Sequence, residues 1–439
     1  AATRDPLRWW NQFPPGLRNV TRLRLLASIG AGGVIFMTPL VFHAIAFSAS
    51  QVGRGLAVSA SVGPAGRLLS GALLDRGLRC SWPIRATTLL AIRADLMLFQ
   101  ADTFSAYVLG QLLLGTAAGL YWPAIELAVP LNCGDLPSGR GYALVRSADA
   151  LGIGLGALLG TIAASIGQLR LVYGVEAICM ASVLIMVSVH PLLDERPMLQ
   201  ETHPESSTGT LDLTWLPPLV PVLVVSVVAT GILSLQQSAL PLDLVKGGLE
   251  RPGLSESHSS ALIAFQLTLL VLLQWPVGRW LSERSVGFGL SLSLLSFATG
   301  CTLIGLSALS ASGTGLVMVA LLPMAFAQAA FLPTATEAVV EETPPEHRGL
   351  AMAMFSQCFA LSAMAAPVVG GNLLDQQGHG LTLWIGVAAI SLAVLPLVKG
   401  LRPRFQGGVQ GRTNNLSMLK QGVQAASGSK ERPVSSNNR

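Results

Sequence analysis

Charge is scarce in this chain. Asp, Glu, Lys and Arg make up 12% of its 439 residues, where soluble proteins carry roughly 25%. A water-soluble chain of this length divides into domains whose surfaces need that charge, so the soluble class is excluded. Cysteine is sparse as well. Cys80, Cys133, Cys179, Cys301 and Cys358 are scattered and make no C-x-x-C pair, so core packing is expected of them rather than metal or redox chemistry. No Gly-Lys-Ser/Thr phosphate loop, His-Glu-x-x-His pair or clustered set of metal ligands occurs. This argues against an ATP-driven pump and against an enzyme, and no cofactor or metal is expected. Ala1 to Thr21 is polar and Arg-bearing and lacks a cleavage-site pattern, so the first apolar run is expected to be a true span.

Apolar residues fill the space that charge leaves. They account for 51% of the chain, and the mean hydropathy is +0.57. A membrane-spanning helix needs about 20 largely apolar residues. Twelve such runs are predicted at about 22–48, 54–74, 84–101, 104–129, 141–167, 170–190, 217–240, 258–281, 286–309, 313–339, 349–374 and 380–399. Gly and other small residues recur in them, as close helix approach in lipid requires. The expected organisation is a tail (1–21), a six-helix bundle (22–190), a polar linker (191–216), a second six-helix bundle (217–400) and a basic, disordered tail (401–439).

The +5 net charge does not point to nucleic acid, because the basic residues flank apolar runs. With both termini placed in the cytoplasm, 21 Lys and Arg residues fall on that side. Four (Arg54, Arg170, Lys246, Arg251) fall opposite, and Arg67, Arg93 and Arg146 lie within spans. Such a bias sets both termini inside and predicts a multi-pass protein of the cell membrane.

Three landmarks recur. Gly71-Ala-Leu-Leu-Asp75-Arg76 is matched by Gly278-Arg-Trp-Leu-Ser-Glu283-Arg284 at an offset of 207 residues. Pro123 with Glu126 is matched by Pro333 with Glu337 at 210, and Arg140-Gly141-Tyr-Ala143 by Arg348-Gly349-Leu-Ala351 at 208. A duplicated six-span unit follows, and parallel repeats of this kind place a binding site at their interface near the bilayer midplane.

The loop Gly66–Arg79 (GRLLSGALLDRGLR) resembles the G-x-L-x-D-R-x-G-R-R loop of the major facilitator superfamily. It departs by one residue, since Gly77 directly follows Arg76 and Cys80 replaces the last Arg. The Arg-Gly-x-Ala starts of spans 5 and 11 are similar to that family too. The resemblance covers about residues 22–400 and implies an all-α fold of twelve transmembrane helices in two pseudo-symmetric bundles. It also implies secondary transport of a small molecule by a monomer, without nucleic acid. Span 5, Gly152-Ile-Gly-Leu-Gly156-Ala157-Leu-Leu-Gly160-Thr161, is similar to the antiporter glycine pattern but has Ala for its Pro. Gln111 stands where proton-coupled members resemble an R-x-x-x-G pattern. The partial glycine pattern of span 5 makes proton-coupled export the favoured expectation, while Gln111 in place of the Arg departs from the pattern of proton-coupled members. The rivals are an uptake porter or uniporter, and a non-transporting receptor or assembly factor on the same fold.

Charges in lipid cost about 2.5–3.5 kcal/mol each on insertion scales, so each needs an account. Arg146 and Asp149 share a helix face three residues apart and are expected to pair as a substrate or proton site. Arg67 is a conceivable partner for Asp95, and Glu176 is expected to reach the membrane interface. His43, Gln111, Gln236 and Gln328 lead the neutral candidates, because the resemblance places spans 1, 4, 7 and 10 around a cavity; Gln237, Gln266 and Gln357 follow. Tyr121 and Trp122 are expected as interface anchors. Gly71, Asp75, Arg76, Arg79, Glu126 and Arg140, with Arg284, Glu337 and Arg348, are expected to form an ionic latch at the cytoplasmic mouth. The resemblance further implies that Asp75 faces a helix N-terminus of the other half.

The topology is checked by reporter fusions. Fusions at 168–169 and 310–312 are expected outside and a fusion after Gly400 inside; an external C-terminus would overturn the assignment.

Overall fold

The computed structural model describes residues 10–136, 138–192, 215–281, 283–344, 348–398 and Leu401. The N-terminal tail up to residue 9, most of the linker and the C-terminal tail from 402 onward lie outside the described residues. Twelve helices of 13 to 31 residues run α1 (Pro15–Ala44), α2 (Ala49–Asp75), α3 (Ser81–Phe99), α4 (Phe104–Leu131), α5 (Ser138–Ser165), α6 (Leu171–Val189), α7 (Leu216–Lys246), α8 (Glu256–Leu281), α9 (Val286–Ser307), α10 (Gly313–Glu342), α11 (Arg348–Gln377) and α12 (Leu381–Ala393), and a turn of helix, α13 (Leu395–Val398), extends the last. Ten segments are long and apolar enough to cross a membrane. α2 and α3 fall short because α2 is rich in Gly and Ser and carries Arg67, while α3 carries Arg85, Arg93 and Asp95.

Two helix starts differ from expectation. α1 begins at Pro15, seven residues before the expected boundary, because proline suits the first helical turn, where its missing N–H costs nothing. The consequence is large: Arg24, counted above as a flanking charge, lies about 14 Å inside the helix at 1.5 Å per residue. α2 begins at Ala49, where Ser48 and Gln51 form a reciprocal capping box that satisfies two orphan backbone donors.

The halves repeat their internal packing. In the first, α1 packs on α5 and α6, α2 on α4, and α3 on α4 and α6; in the second, α7 packs on α11 and α12, α8 on α10, and α9 on α10 and α12. α2 meets α11 and α5 meets α8 between the halves, and α1 touches α7. The face carrying residue 15 and the start of α7 is called the terminal face, and the opposite one the far face. Between the halves, Thr161 donates to the Ser260 carbonyl at 3.2 Å, and the start of α2 lies against the end of α11; both contacts are on the far-face side. One apolar core runs through both halves, whereas two smaller clusters are confined to one half each.

The tightest packing in the first half is α5 on α1. A Cβ added at Gly156 would strike the Ile29 carbonyl and the Gly33 nitrogen, whereas one at Gly154 would meet nothing within 4 Å. Gly156→Leu is expected to destabilise the protein by at least about 1–3 kcal/mol, and Gly154→Leu to leave it near wild type. Thermal melting in detergent checks both, and equal melting of the two variants would refute this account of the packing.

Candidate functional site

A cavity of about 380 Å³ lies between the halves, walled by α1, α2, α4, α7 and α11. Its polar lining includes Arg67, Gln111, Ser234 and Gln237, and Arg67 is the charged member. A second cavity of about 280 Å³ lies within the first half and holds Arg24, Asp149, Tyr121, Trp122 and Glu176. Both share Val34, Ile35, Ser59, Leu114 and Ala118, so they adjoin along α1 and α4.

Asp149 is paired, but not with Arg146. Its Oδ1 lies 2.8 Å from Arg24 Nη2 and accepts from Ser28 Oγ at 2.6 Å. The close approach of α5 to α1 sets Arg24 and Ser28 opposite Asp149, and this tertiary contact overrides the three-residue spacing along α5. Arg24 also lies 4.0 Å from the Trp122 ring centroid and 5.4 Å from that of Tyr121, within cation–π range. Tyr121 is buried, and both rings line the cavity, so they are walls of the site rather than interface anchors. Arg146, one turn nearer the terminal face, instead binds Glu126 on α4 at 2.9 Å; both side chains are partly exposed.

The remaining candidates divide. Gln111 is buried on the wall of the larger cavity, and its Nε2 has no partner among the described residues, which leaves a donor for a guest. Gln236 is bound to Gln266 at 2.6 Å and contacts the Met324 sulfur; it acts as a helix-to-helix tie, and its neighbour Gln237 lines the cavity. His43 sits near the far end of α1 with Nδ1 3.4 Å from the Phe47 carbonyl. His43 and Gln328 line neither cavity, while Gln357 is exposed in a separate recess beside Ser61 and Met354. The side chains of Asp75, Arg140 and Arg348 lie outside the described residues. Arg76 and Arg79 are exposed, Arg284 stacks against Trp280 and Phe288, and Glu337 is half-buried on α10. Glu126, assigned to a latch between the halves, is tied to Arg146 within its own half.

Two charged clusters escaped the sequence reading. Asp375, near the end of α11, caps the start of α2 across the halves: it accepts from the Ala49 and Ser50 amides at 3.0 and 2.7 Å. Lys246 Nζ lies 2.8 Å from the same carboxylate. A carboxylate at a helix N-terminus meets both orphan N–H groups and the positive end of the dipole, so this contact ties the two halves together on the far-face side. The second cluster pairs Arg251 with Asp243 at 3.1 Å, both fully buried; Arg251 also donates to Ser307 Oγ, and Trp384 Nε1 donates to Asp243. Arg251, counted above among the basic residues opposite the termini, is buried and acts as a structural stitch.

Glu176 also departs from expectation. It is 4% exposed and packs on Gly30 of α1, facing inward. It belongs to the buried stripe Val172, Tyr173, Glu176, Cys179, Met180, Val183 and Val187, whose spacing was legible in the sequence. Asp95 lies on the matching stripe of α3 with Thr88, Ala91 and Leu98. It makes no ion pair with Arg67, which lines the larger cavity instead.

Removing one partner of a buried ion pair strands the other charge and costs about 3–5 kcal/mol, more than removing both. Asp149→Asn is therefore expected to lower the melting midpoint, and Asp149→Asn with Arg24→Gln to recover most of the loss. Adding Arg146→Gln to Asp149→Asn should recover none of it; recovery by Arg146→Gln would restore the sequence-based pairing.

Residues 222–422 match the family model described as Major Facilitator Superfamily, and no curated protein matches the chain. Among solved structures, nucleoside transporter NupG superposes with a TM-score of 0.72 at 14% identity, covering 88% of this chain and 99% of that one. Peptide transporter POT in complex with sulfate gives 0.70 at 16%, covering 88% and 94%, and a POT family transporter in complex with 5-aminolevulinic acid gives 0.71 at 13%, covering 88% and 95%. With its paired six-helix halves and its loop motif, the chain is a multi-pass membrane protein with the major facilitator superfamily fold.

Proposed function

We propose that the protein is a secondary transporter that moves a small organic solute by alternating access. The observation that carries this reading is the cavity between the halves; we read the seating of Asp375 on the start of α2 as the closed gate on its far-face side. With the termini in the cytoplasm, as the Lys and Arg bias supports, the solute loads from the cytoplasmic side in this state. Opening to the far face requires Asp375 to leave Ala49 and Ser50, and Lys246 then keeps its carboxylate neutralised.

Within the cavity, Arg67 is the charged group of the wall, and its Nε lacks a hydrogen-bond partner among the described residues. A guanidinium with an unused donor in this wall favours a solute with an acidic group, which it would bind through charge-assisted hydrogen bonds. Gln111 and Gln237 supply neutral contacts, and the aliphatic lining accepts an apolar body. The Arg24–Asp149 pair in the adjoining cavity already neutralises itself and shapes α1 and α5 around the site.

The glycine pattern that favoured export has another use. Gly152, Gly156 and Gly160 all lie against α1, so the pattern is accounted for by helix packing. We therefore assign coupling without a fixed direction; the gradients decide it. The non-transporting reading is separated by experiment. Reconstituted protein should show saturable counterflow of at least one solute from a panel of organic acids, nucleosides and short peptides, without any ion gradient. Arg67→Gln should raise the half-saturating concentration of an acidic solute about tenfold or more, as the loss of a charged hydrogen bond implies. Absence of counterflow across the whole panel would favour a receptor or assembly role.

A further inference from the structure

The second cavity contains a feature that the solute site does not use. Asp95 on α3 and Glu176 on α6 are 1% and 4% exposed, and they sit on the buried stripes of two helices that pack on each other, which brings their carboxyl groups together. Neither makes an ion pair with a described residue, and both oxygens of Asp95 and Oε2 of Glu176 lack a hydrogen-bond donor. Every buried acid–base pair elsewhere in the described bundles has a different character: Asp149 has Arg24, and Asp243 has Arg251. Two carboxyl groups side by side, out of water and without a cation, are compatible only when a proton lies between them, because like charges at such range cannot both persist in a low-dielectric site.

The surroundings add no counter-charge. On α6 the pair faces Tyr173 and Cys179. The α1, α4 and α5 groups around the adjoining cavity are Arg24, already held by Asp149, and Tyr121. On α3, Arg93 is exposed and points away from Asp95's buried stripe. Tyr173 is itself committed to Thr38 at 3.0 Å.

Position makes the pair more than a buried oddity. Glu176 is part of the cavity wall that also bears Asp149, whereas Asp95 does not line it. The two lie about 6–8 Å from the far-face ends of α3 and α6, counting 1.5 Å per residue. α1 runs between them and the site: Gly30 lies against Glu176, while Arg24 and Ser28 on the same helix hold Asp149. A shift of α1 that changes the cavity thus also changes the contact of Glu176 with cavity water.

We infer that Asp95 and Glu176 form a proton-binding dyad and that this dyad, rather than Asp149, couples solute movement to protons. Sealed from water and without a cation, the pair is held neutral, with a proton on each carboxyl group. When Glu176 reaches water, its carboxyl O–H breaks and the proton passes to a water molecule as hydronium, leaving the pair with one negative charge. Return of a proton from hydronium to that carboxylate oxygen on the other side restores the neutral pair and allows it to be sealed again. The coupling rests on the transport reading above; the proton-binding site does not.

The test has two arms on the full chain in phosphatidylcholine vesicles. Infrared difference spectra recorded across a pH series should show a protonated-carboxyl band at neutral pH, and Asp95→Asn with Glu176→Gln should remove it. These amides are near-isosteric and can hydrogen-bond to each other, so folding is expected to survive, and thermal melting checks it. An unchanged band in the double variant, or no band in the wild type, would overturn the dyad. In the second arm, for whichever panel solute shows counterflow, the double variant should keep counterflow and lose accumulation driven by an imposed pH gradient. Retained pH-driven accumulation would overturn its coupling role. If no solute exchanges, the transport reading fails, and the infrared arm still decides the dyad.

Discussion

A charge carried into a bilayer must be neutralised there, and this constraint organises the first half of the protein. Arg24 enters the membrane because α1 starts at Pro15; it is then held by Asp149, which also accepts from Ser28, and by the face of Trp122. The geometry of α1 against α5 follows from that pairing as much as from the glycines that permit it. The same constraint explains Arg251 with Asp243 at the far end of the second half, where the fully buried pair ties a loop to α9 and α12. It leaves Asp95 and Glu176 as the exception, neutralised by no cation among the described residues.

Much of the fold was legible in the sequence because it rests on composition and repetition. Low charge, long apolar runs and landmarks spaced by about 207–210 residues all report on one duplicated bundle, and tertiary detail cannot alter them. The site was less legible, because it rests on which helices touch. Spacing along α5 placed Arg146 beside Asp149, but a partner three residues away on one helix competes with partners on every helix packed against it. Here α1 offers Asp149 both a guanidinium and a hydroxyl, and α4 offers Arg146 a carboxylate in Glu126. The signal for Arg24 was local and available in the two prolines before it, whose preference for a first helical turn moves the boundary by two turns. The signal for Glu176 was the stripe of inward residues on α6. Asp375 had no comparable signal, since capping α2 from α11 depends on how the halves meet.

The α2–α11 contact shows how a polar contact can sit at the rim of the apolar core that the two halves share. A carboxylate seated on a helix N-terminus is directional and strong when assembled, since it satisfies backbone donors that otherwise lack partners. It also breaks at modest cost if each component keeps a partner. Lys246 stays with Asp375 because α7 and α11 belong to the same half, while the amides of Ala49 and Ser50 emerge at the far face, where water can replace the carboxylate. The contact therefore favours one state without trapping it, as the alternating access proposed above would require.

α1 connects these observations. It packs on α5 on one side and on α6 on the other, and it touches α7 across the halves. Small residues let both neighbours approach: the Gly30 position admits Glu176, and Ser28 both fills the gap to Gly152 and hydrogen-bonds Asp149. Any displacement of α1 relative to α5 stretches the Arg24–Asp149 pair, and any displacement relative to α6 uncovers Glu176. The two acids cannot respond independently, because one rigid helix lies between them. A bundle that changes its opening by moving α1 must therefore change the solvation of the carboxyl pair in the same step, and the cost of solvating or burying that pair depends on its proton count. Coupling between proton and conformation then follows from the placement of one helix and needs no longer chain of intermediates.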